Sequence, residues 1–337
     1  MTVTPATPAA EPRLVDLASI RAAAVLLRGI AIRTPLVAFG PPADRTFLKA
    51  ESLQQIGAFK LRGAYVAIAS LSPDERARGV ITYSSGNHAQ GVARAARLLG
   101  TTAVVVMPSD APTIKRERVA ADGAEVVIVG TASDERQARA ESIAADRGLA
   151  IIPPFDDDRI IAGQGTIGIE VIEDLPATAL VLVPIGGGGL ASGVAAAVKA
   201  LSPGTRVIGV EPELAADAQE SLARGEIVRW SAVDVSRTIA DGTRTQALGP
   251  RTFAHLRAHL DGIVTVTEAE IVAGVRLGAE RSRLVIEPSG ALVVAAIAYH
   301  AADLGLAAFD GPVVGIVSGG NVDPEAYRRY LETPLPG

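Results

Sequence analysis

Four consecutive glycines, Gly186, Gly187, Gly188 and Gly189, follow the apolar run Val181-Leu-Val-Pro-Ile185 and open into Leu190-Ala-Ser-Gly-Val194. A stretch so free of side chains loses much backbone entropy on ordering. A folded chain retains it for a very tight turn, or for a ligand that needs the backbone close. A strand entering such a loop and a helix leaving it form a cradle for a phosphate. The amides turn inward, and the helix N-terminus adds a favourable dipole. A plain flexible loop is the other reading.

The phosphate can be narrowed. A nucleoside-triphosphate loop closes its glycines with Lys-Ser or Lys-Thr, whereas Leu190 and Ala191 follow here. A dinucleotide fold wants spaced glycines and an acidic residue about 20 residues on, at the next strand end. Gly189 and Gly193 fit that spacing poorly, although Glu211 does end the next apolar run, 207–210. The phosphate of a smaller cofactor suits the loop better. A nicotinamide-dependent oxidoreductase is the alternative from a different class.

Short β-branched runs at 80–83, 103–107, 125–129, 150–152, 180–184, 206–210, 262–266 and 313–317 alternate with amphipathic stretches such as 88–99, 133–146, 168–175 and 269–281. Such alternation predicts an α/β fold: doubly wound domains with mainly parallel sheets, covered by helices on both faces. The acidic stretch 155–158, after Pro153 and Pro154, reads as a connection between two units. Gly86 and the four glycines both follow strand ends, where open α/β sheets place ligands.

Composition removes several classes. The chain has 337 residues, enough for one large or two ordinary domains. Its net charge of −5 gives no reason to propose nucleic acid or an anionic membrane as partner. It has no cysteine, which excludes disulfides, thiolate catalysis and Cys-ligated zinc, and its four histidines argue against a His-rich metal site. Residues 1–12 lack the basic start and apolar centre of a signal peptide and read as a frayed tail. Residues 179–198 are uncharged, but Pro184 and the four glycines interrupt them. A cytoplasmic protein with a small-molecule substrate is expected, as a homodimer or homotetramer.

Lysine is scarce. Of 32 basic residues only four are lysine: Lys49, Lys60, Lys115 and Lys199. A lysine amine can lose its proton and attack a carbonyl, whereas arginine stays protonated. Lys60 lies in Gly57-Ala-Phe-Lys-Leu-Arg-Gly-Ala64, where a half-buried setting would lower its pKa. It reads equally as an ordinary helix lysine. Ser84-Ser85-Gly86-Asn87-His88 follows the 80–83 run and opens a helix. Its hydroxyls, amide and exposed N–H groups suit a carboxylate, and a simple helix cap is compatible with that.

These segments, with Glu287-Pro-Ser-Gly290 and Ser318-Gly-Gly-Asn-Val-Asp323, occur in an order that resembles the pyridoxal-phosphate enzymes of fold type II. The threonine/serine dehydratases and serine racemase are the nearest by motif. The resemblance spans about residues 15–330, and five motifs in order make it specific. It implies a small α/β domain, 69–153, inserted into a larger cofactor-binding domain, 1–68 with 154–337. It also implies that Lys60 holds pyridoxal 5'-phosphate as a Schiff base, with Phe59 beside it. Asn87 would bond the ring 3-oxygen, and Gly186 to Gly189 with the Leu190 amide would bind the phosphate. Glu287 belongs to the same cofactor-binding set, and Ser318 would meet the pyridine nitrogen. A hydroxyl partner leaves that nitrogen largely unprotonated, which favours prompt loss of a β-substituent over a long-lived carbanion. Ser84, Ser85, Asn87 and His88 would receive the substrate carboxylate, and Ser85 stands where the racemases have a second acid/base. Arg136 stands where racemase-like enzymes put an arginine near the substrate, or is a surface helix residue.

Glu211-Pro-Glu-Leu-Ala-Ala-Asp217 matches the racemase-like cation site. The Glu211 and Asp217 carboxylates and the Ala215 carbonyl would be ligands, and all-oxygen ligation suits Mg²⁺ or Ca²⁺. A solvated acidic turn is the alternative. Two positions depart from the family pattern: Ala58 where Ser is commonest, and Ala89 where Gly is commonest. No regulatory domain of the kind found in regulated biosynthetic threonine dehydratases is expected after Gly337. The expected activity is an ammonia-lyase that converts a β-hydroxy amino acid, L-threonine or L-serine first, to a 2-oxo acid and ammonia. Serine racemase and a lyase for 3-hydroxyaspartate or another hydroxy amino acid are the rivals within the cofactor class. A catalytically silent relative is the rival outside enzymes.

Overall fold

The computed structural model describes residues 13–41, 45–84, 86–109, 111, 113–130, 133–308 and 310–336. The tail read at 1–12 lies outside them. The strands are β1 (Leu36–Ala38), β2 (Thr46–Ala50), β3 (Val80–Tyr83), β4 (Ala103–Pro108), β5 (Glu125–Val129), β6 (Ala150–Ile151), β7 (Leu180–Pro184), β8 (Arg206–Pro212), β9 (Gly262–Val266) and β10 (Val313–Val317). They form two sheets. The larger has the order β1-β2-β10-β7-β8-β9, with β1 antiparallel to β2 and the other neighbours parallel. The smaller, β5-β4-β3-β6, is parallel throughout.

The apolar runs explain these positions. β7 is buried at every residue. Leu180 and Leu182 enter a core with the Glu268–Ser282 and Pro288–Tyr299 helices, while Val181 and Val183 enter a second core with the Gly189–Leu201 helix. Two-sided burial is what a continuous apolar run in a parallel sheet provides. In the smaller sheet Ile81, Val104 and Val106 pack against Ala140, Ile143 and Ala144, and Val80, Val105 and Met107 pack on the opposite side.

Two findings differ from the sequence reading. β1 and β2 were not foreseen: β1 has three residues, and Lys49 interrupts the apolar pattern of β2. The helix read at 168–175 begins at Asp158, capped by the Asp157 side chain, and runs to Asp174. Gly163, Gly165 and Gly168 weaken its local helix signal, yet close packing requires them. A Cβ at Gly163 would lie 2.6 Å from the Gly63 Cα, and one at Gly165 2.9 Å from the Gly193 carbonyl oxygen. Three helices therefore cross backbone against backbone: Lys60–Ala69, Asp158–Asp174 and Gly189–Leu201.

The Lys60–Ala69 helix, which the sequence division assigns to the larger unit, buries Leu61, Ala64, Ala67 and Ile68 in the core of the smaller sheet. The segment before it is sewn to the larger sheet. Ala58 and Gly319 form an isolated antiparallel bridge, and the Phe59 amide donates to the Ser318 carbonyl at 3.1 Å. Lys60 thus starts a helix where the two sheets meet. No helix among the described residues is long and apolar enough to cross a membrane.

Candidate active site

Lys60 is the first residue of its helix. Its Nζ donates to the Pro154 carbonyl at 2.7 Å. Burial lowers its pKa to about 8, so near neutral pH a larger share of this amine is unprotonated than for a solvated lysine. Next along the chain, Phe155 covers the glycine loop. A Cβ at Gly187 would lie 2.2 Å from the Phe155 ring, and one at Gly189 3.0 Å from the Phe155 Cβ. The Pro154–Phe155 peptide thus links Lys60 to the four glycines.

Gly188 has φ +87°, a left-handed conformation that favours glycine, and it caps the Gly189–Leu201 helix. A Cβ on Gly186 would meet the Thr243 backbone at 3.0 Å. Leu190 is buried in the core of the larger sheet. The helix's first amides have no intrahelical acceptors, an arrangement suited to an anion.

On the other side, Asn87 opens the Asn87–Leu99 helix after β3. Its Nδ2 donates to Glu287 Oε1 at 2.7 Å, and its Oδ1 accepts from Asn321 Nδ2 at 2.9 Å. The Asn321 amide donates to Glu287 Oε2 at 3.1 Å. Burial, then the nearby Asp241 charge, raises Glu287 to a pKa of about 7. Ser318 is buried at the end of β10. His88 is buried with Nε2 3.1 Å from the Ile152 carbonyl oxygen, and its Nδ1 has no partner among the described residues. Burial and the neighbouring Lys60 charge lower its pKa to about 3, so it is neutral near pH 7. The Ser84 hydroxyl accepts from the Gly86 amide at 3.3 Å. Ser85 lies outside the described residues. Arg136 is half-buried in the first turn of the Ser133–Arg147 helix.

Contacts therefore join Phe59 to Ser318 and Asn87 to Glu287, and the Pro154–Phe155 peptide stands between Lys60 and the glycine loop. Sequence reasoning assigned no role to Pro154, Phe155, Asp241 or Asn321. Asn321 stood inside a quoted motif, and Pro154 and Phe155 stood in a segment read as a mere connection. Nothing local marked Asp241. It receives the Lys115 ammonium at 2.7 Å, from the Thr113–Ala121 helix beside the smaller sheet, and Arg118 of that helix donates to Asn321 at 3.0 Å. Both contacts span the cleft between the sheets.

The two acids at 211 and 217 also come together. Glu211 is fully buried and accepts from the Ala218 amide at 3.1 Å and the Gln219 amide at 2.8 Å. Asp217 is 1% exposed, and neither of its carboxylate oxygens has a partner among the described residues. Burial raises Asp217 to a pKa of about 7, and burial with the Asp217 charge raises Glu211 well above its usual value. Ala215 is buried between them in a short turn. A pair of buried acids with two orphaned oxygens is not a solvated turn. Among the described residues no cluster of three or more His, Cys, Asp or Glu side chains could hold a metal.

A family model described as pyridoxal-phosphate dependent enzyme matches residues 27–319. The chain is 43% identical over 286 residues to the L-threo-3-hydroxyaspartate ammonia-lyase of Saccharomyces cerevisiae, with 85% of each chain covered. It is 41% identical over 286 residues to the serine racemase of Schizosaccharomyces pombe, covering 85% of this chain and 86% of that one. Among solved structures, the processed form of threonine deaminase isoform 2 from Solanum lycopersicum matches with a TM-score of 0.86 and 37% identity, over 98% of each chain.

Proposed function

Because this chain belongs to the pyridoxal-phosphate dependent enzymes of fold type II, we propose that it is an ammonia-lyase that converts a β-hydroxy amino acid to the 2-oxo acid and ammonia. L-Threonine and L-serine are the first substrates to test, with L-threo-3-hydroxyaspartate as the rival. The observation that carries the reading is Lys60: a half-buried amine whose pKa desolvation lowers to about 8, joined through Pro154 and Phe155 to a glycine loop at a helix start.

The residues present suit pyridoxal phosphate. Lys60 would hold its aldehyde carbon, Gly186 to Gly189 and the Leu190 amide its phosphate, Phe59 and Glu287 its ring surroundings. Asn87 would meet the ring oxygen and Ser318 the ring nitrogen. When bound, the group supplies an aldehyde for the substrate amine and a ring that withdraws electrons from Cα. Ser84, Ser85, Asn87 and His88 orient the substrate carboxylate, with Arg136 near the side chain. His88 would do so through its backbone amide at the helix start, because its ring is neutral and its Nε2–H is directed at the Ile152 carbonyl. The Lys60 Nζ, once free, takes the Cα proton as general base. The electron pair of the Cα–H bond becomes the Cα–Cβ double bond as the Cβ–O bond breaks with its pair going to oxygen, and a proton from the cofactor phosphate or an ordered group would let the hydroxyl leave as water. Addition of one water releases ammonia and leaves the 2-oxo acid, so atoms balance.

Borohydride reduction of the holoenzyme followed by peptide mapping tests this. We expect the label on Lys60, and we expect Lys60→Ala to lose the visible absorption band and more than a thousandfold in turnover. A label on Lys49, Lys115 or Lys199 sinks the assignment. A panel of β-hydroxy amino acids, assayed for 2-oxo acid, ammonia and the opposite enantiomer, separates lyase from racemase.

The Glu211 and Asp217 carboxylates with the Ala215 carbonyl suit Mg²⁺ or Ca²⁺, since orphaned buried oxygens gain ligation from a hard cation. We assign it a structural role beside the cofactor domain. We further propose the division into 69–153 and 1–68 with 154–337, and assembly as a homodimer or homotetramer, which light scattering of the holoenzyme would check.

A further inference from the structure

Behind the Lys60 helix lies a group of charges that the mechanism does not use. Arg62 is 1% exposed, Glu51 and Lys49 are 0% exposed, and the Glu170 side chain is 12% exposed. Arg62 donates to Glu51 from Nε at 2.9 Å and from Nη2 at 2.8 Å, and to Glu170 from Nη1 at 2.6 Å and from Nη2 at 3.0 Å. Nη1 also reaches the Thr166 hydroxyl at 3.2 Å, and Nη2 shares its two hydrogens with the Ile32 carbonyl at 3.0 Å as a third acceptor. Lys49 pairs with Glu170 at 2.6 Å and donates to the Thr34 carbonyl at 2.6 Å. The Thr34 hydroxyl in turn donates to Glu51 at 2.6 Å. Two cations and two anions are buried with their hydrogen bonds met.

Two such pairs make a weak stability device, since apolar side chains of similar volume often do as well or better. Their placement suggests another use. Successive helix residues are about 100° apart, so Lys60 and Arg62 face nearly opposite sides. Leu61, Ala64, Ala67 and Ile68 of the helix lie in the core of the smaller sheet, whereas Val66 packs with Ile161 and Ala162 of the Asp158–Asp174 helix. A Cβ at Gly91, in the helix after β3, would lie 3.0 Å from the Lys60 carbonyl oxygen. On its other side Gly63 of the same helix meets Gly163 of the Asp158–Asp174 helix, so the helix packs between the two units and its side-chain charges face the larger one. Glu51 follows directly on β2 and Lys49 lies within it, and β2 neighbours β10, whose end carries Ser318.

We infer that Arg62 is a positioning residue: with Glu51, Glu170 and Lys49 it bolts the Lys60 helix to the larger sheet, so that the Lys60 amine keeps its register with the glycine loop and Ser318 whichever way the smaller sheet moves. The inference rests on Lys60 as the cofactor lysine. Arg62→Lys keeps the charge balance, but one ammonium cannot span two carboxylates, the Ile32 carbonyl and Thr166. Misplacing a reacting group by about 1 Å can cost on the order of a hundredfold.

Three quantities test it on the holoenzyme and on the apo-protein reloaded with pyridoxal phosphate: the thermal midpoint, the rate at which the visible band returns, and kcat and KM per cofactor-loaded molecule. For Arg62→Lys we expect at least a tenfold fall in kcat and in the rate of band return, with KM within about threefold. Glu170→Gln should lose less in both, because the Arg62–Glu51 pair remains, and it decides the matter by the same quantities if Arg62→Lys does not fold. Values of kcat and band return within twofold of the parent, whatever happens to the thermal midpoint, overturn the inference and leave the network a purely structural one. Borohydride label on another lysine of the parent overturns the Lys60 reading instead.

Discussion

At the scale of single residues, the choice of ring partner at Ser318 is the sharpest chemical question. Ser318 is buried at the end of β10, and its carbonyl already holds the Phe59 amide. A change confined to its side chain therefore leaves the strand-to-Lys60 junction in place. If Ser318 meets the ring nitrogen as proposed, Ser318→Ala should retain the cofactor but slow elimination several-fold, because the nitrogen would lose that partner. Ser318→Asp should favour a protonated ring and longer-lived charge at Cα, raising the ratio of inverted substrate to 2-oxo acid. Chiral chromatography of the product mixture reads that ratio. The same ratio in the parent and both variants would contradict the proposed control by Ser318.

Elements are where the glycines and the paired acids matter. The Gly189–Leu201 helix meets the Asp158–Asp174 helix backbone to backbone. A Cβ at Gly193 would lie 2.2 Å from the Ile161 carbonyl oxygen, whereas at Gly204 nothing lies within 4 Å. Gly193→Ala should destabilise by roughly 1–3 kcal/mol or more through overpacking, and Gly204→Ala should be close to neutral. Denaturant unfolding of the two variants compares them, and equal midpoints would argue against the close crossing. The turn from β8 into the Asp217–Arg224 helix holds the other element-scale test. Asp217 has its pKa raised from 3.8 to about 7 and Glu211 is raised well above its usual value. Without a cation, the folded state then binds more protons than the unfolded one between pH 4 and 7. Its stability should therefore fall as pH rises through that window. A bound divalent cation neutralises both carboxylates and should flatten the dependence. Thermal midpoints from pH 5 to 8, with chelator and with added Mg²⁺ or Ca²⁺, check this. Identical slopes in both series would leave the pair a buried acid pair without a metal.

Across the whole molecule, two side chains of the Thr113–Ala121 helix reach from beside the smaller sheet to the larger unit. Lys115 reaches from beside the smaller sheet to Asp241, which lies near Glu287, and Arg118 reaches Asn321. The Lys115 side chain is 19% exposed and Asp241 44% exposed. Such a pair contributes about 0–1 kcal/mol. Lys115→Ala should barely change the thermal midpoint, yet it should raise the substrate KM a few-fold by removing an ion pair that spans the cleft. Steady-state kinetics beside a melting curve separate the two effects. An unchanged KM would show that this contact does not influence the cleft.

Much of this architecture was legible in the chain itself. Eight β-branched runs, the four glycines after 181–185 and the Ser-Ser-Gly-Asn-His segment are local patterns, and local patterns report strand burial, turn geometry and helix starts through period and steric freedom alone. Lys60 stood out because lysine is rare here and because of its immediate neighbours. What the tertiary structure decided depends on residues far apart in sequence. The Asp158–Asp174 helix carries three glycines that disfavour helix locally, and only its crossing with two other helices makes them an advantage. Lys49 and Glu51 look like surface charges beside a weak strand until Arg62 and Glu170 close around them. Asn87 finds Glu287 and Asn321 across 200 positions or more, and Phe155 becomes part of the site because the glycine loop folds back against it. Burial of a charge, and the partner that makes it tolerable, are properties of the packed chain, because both depend on which distant groups displace water together.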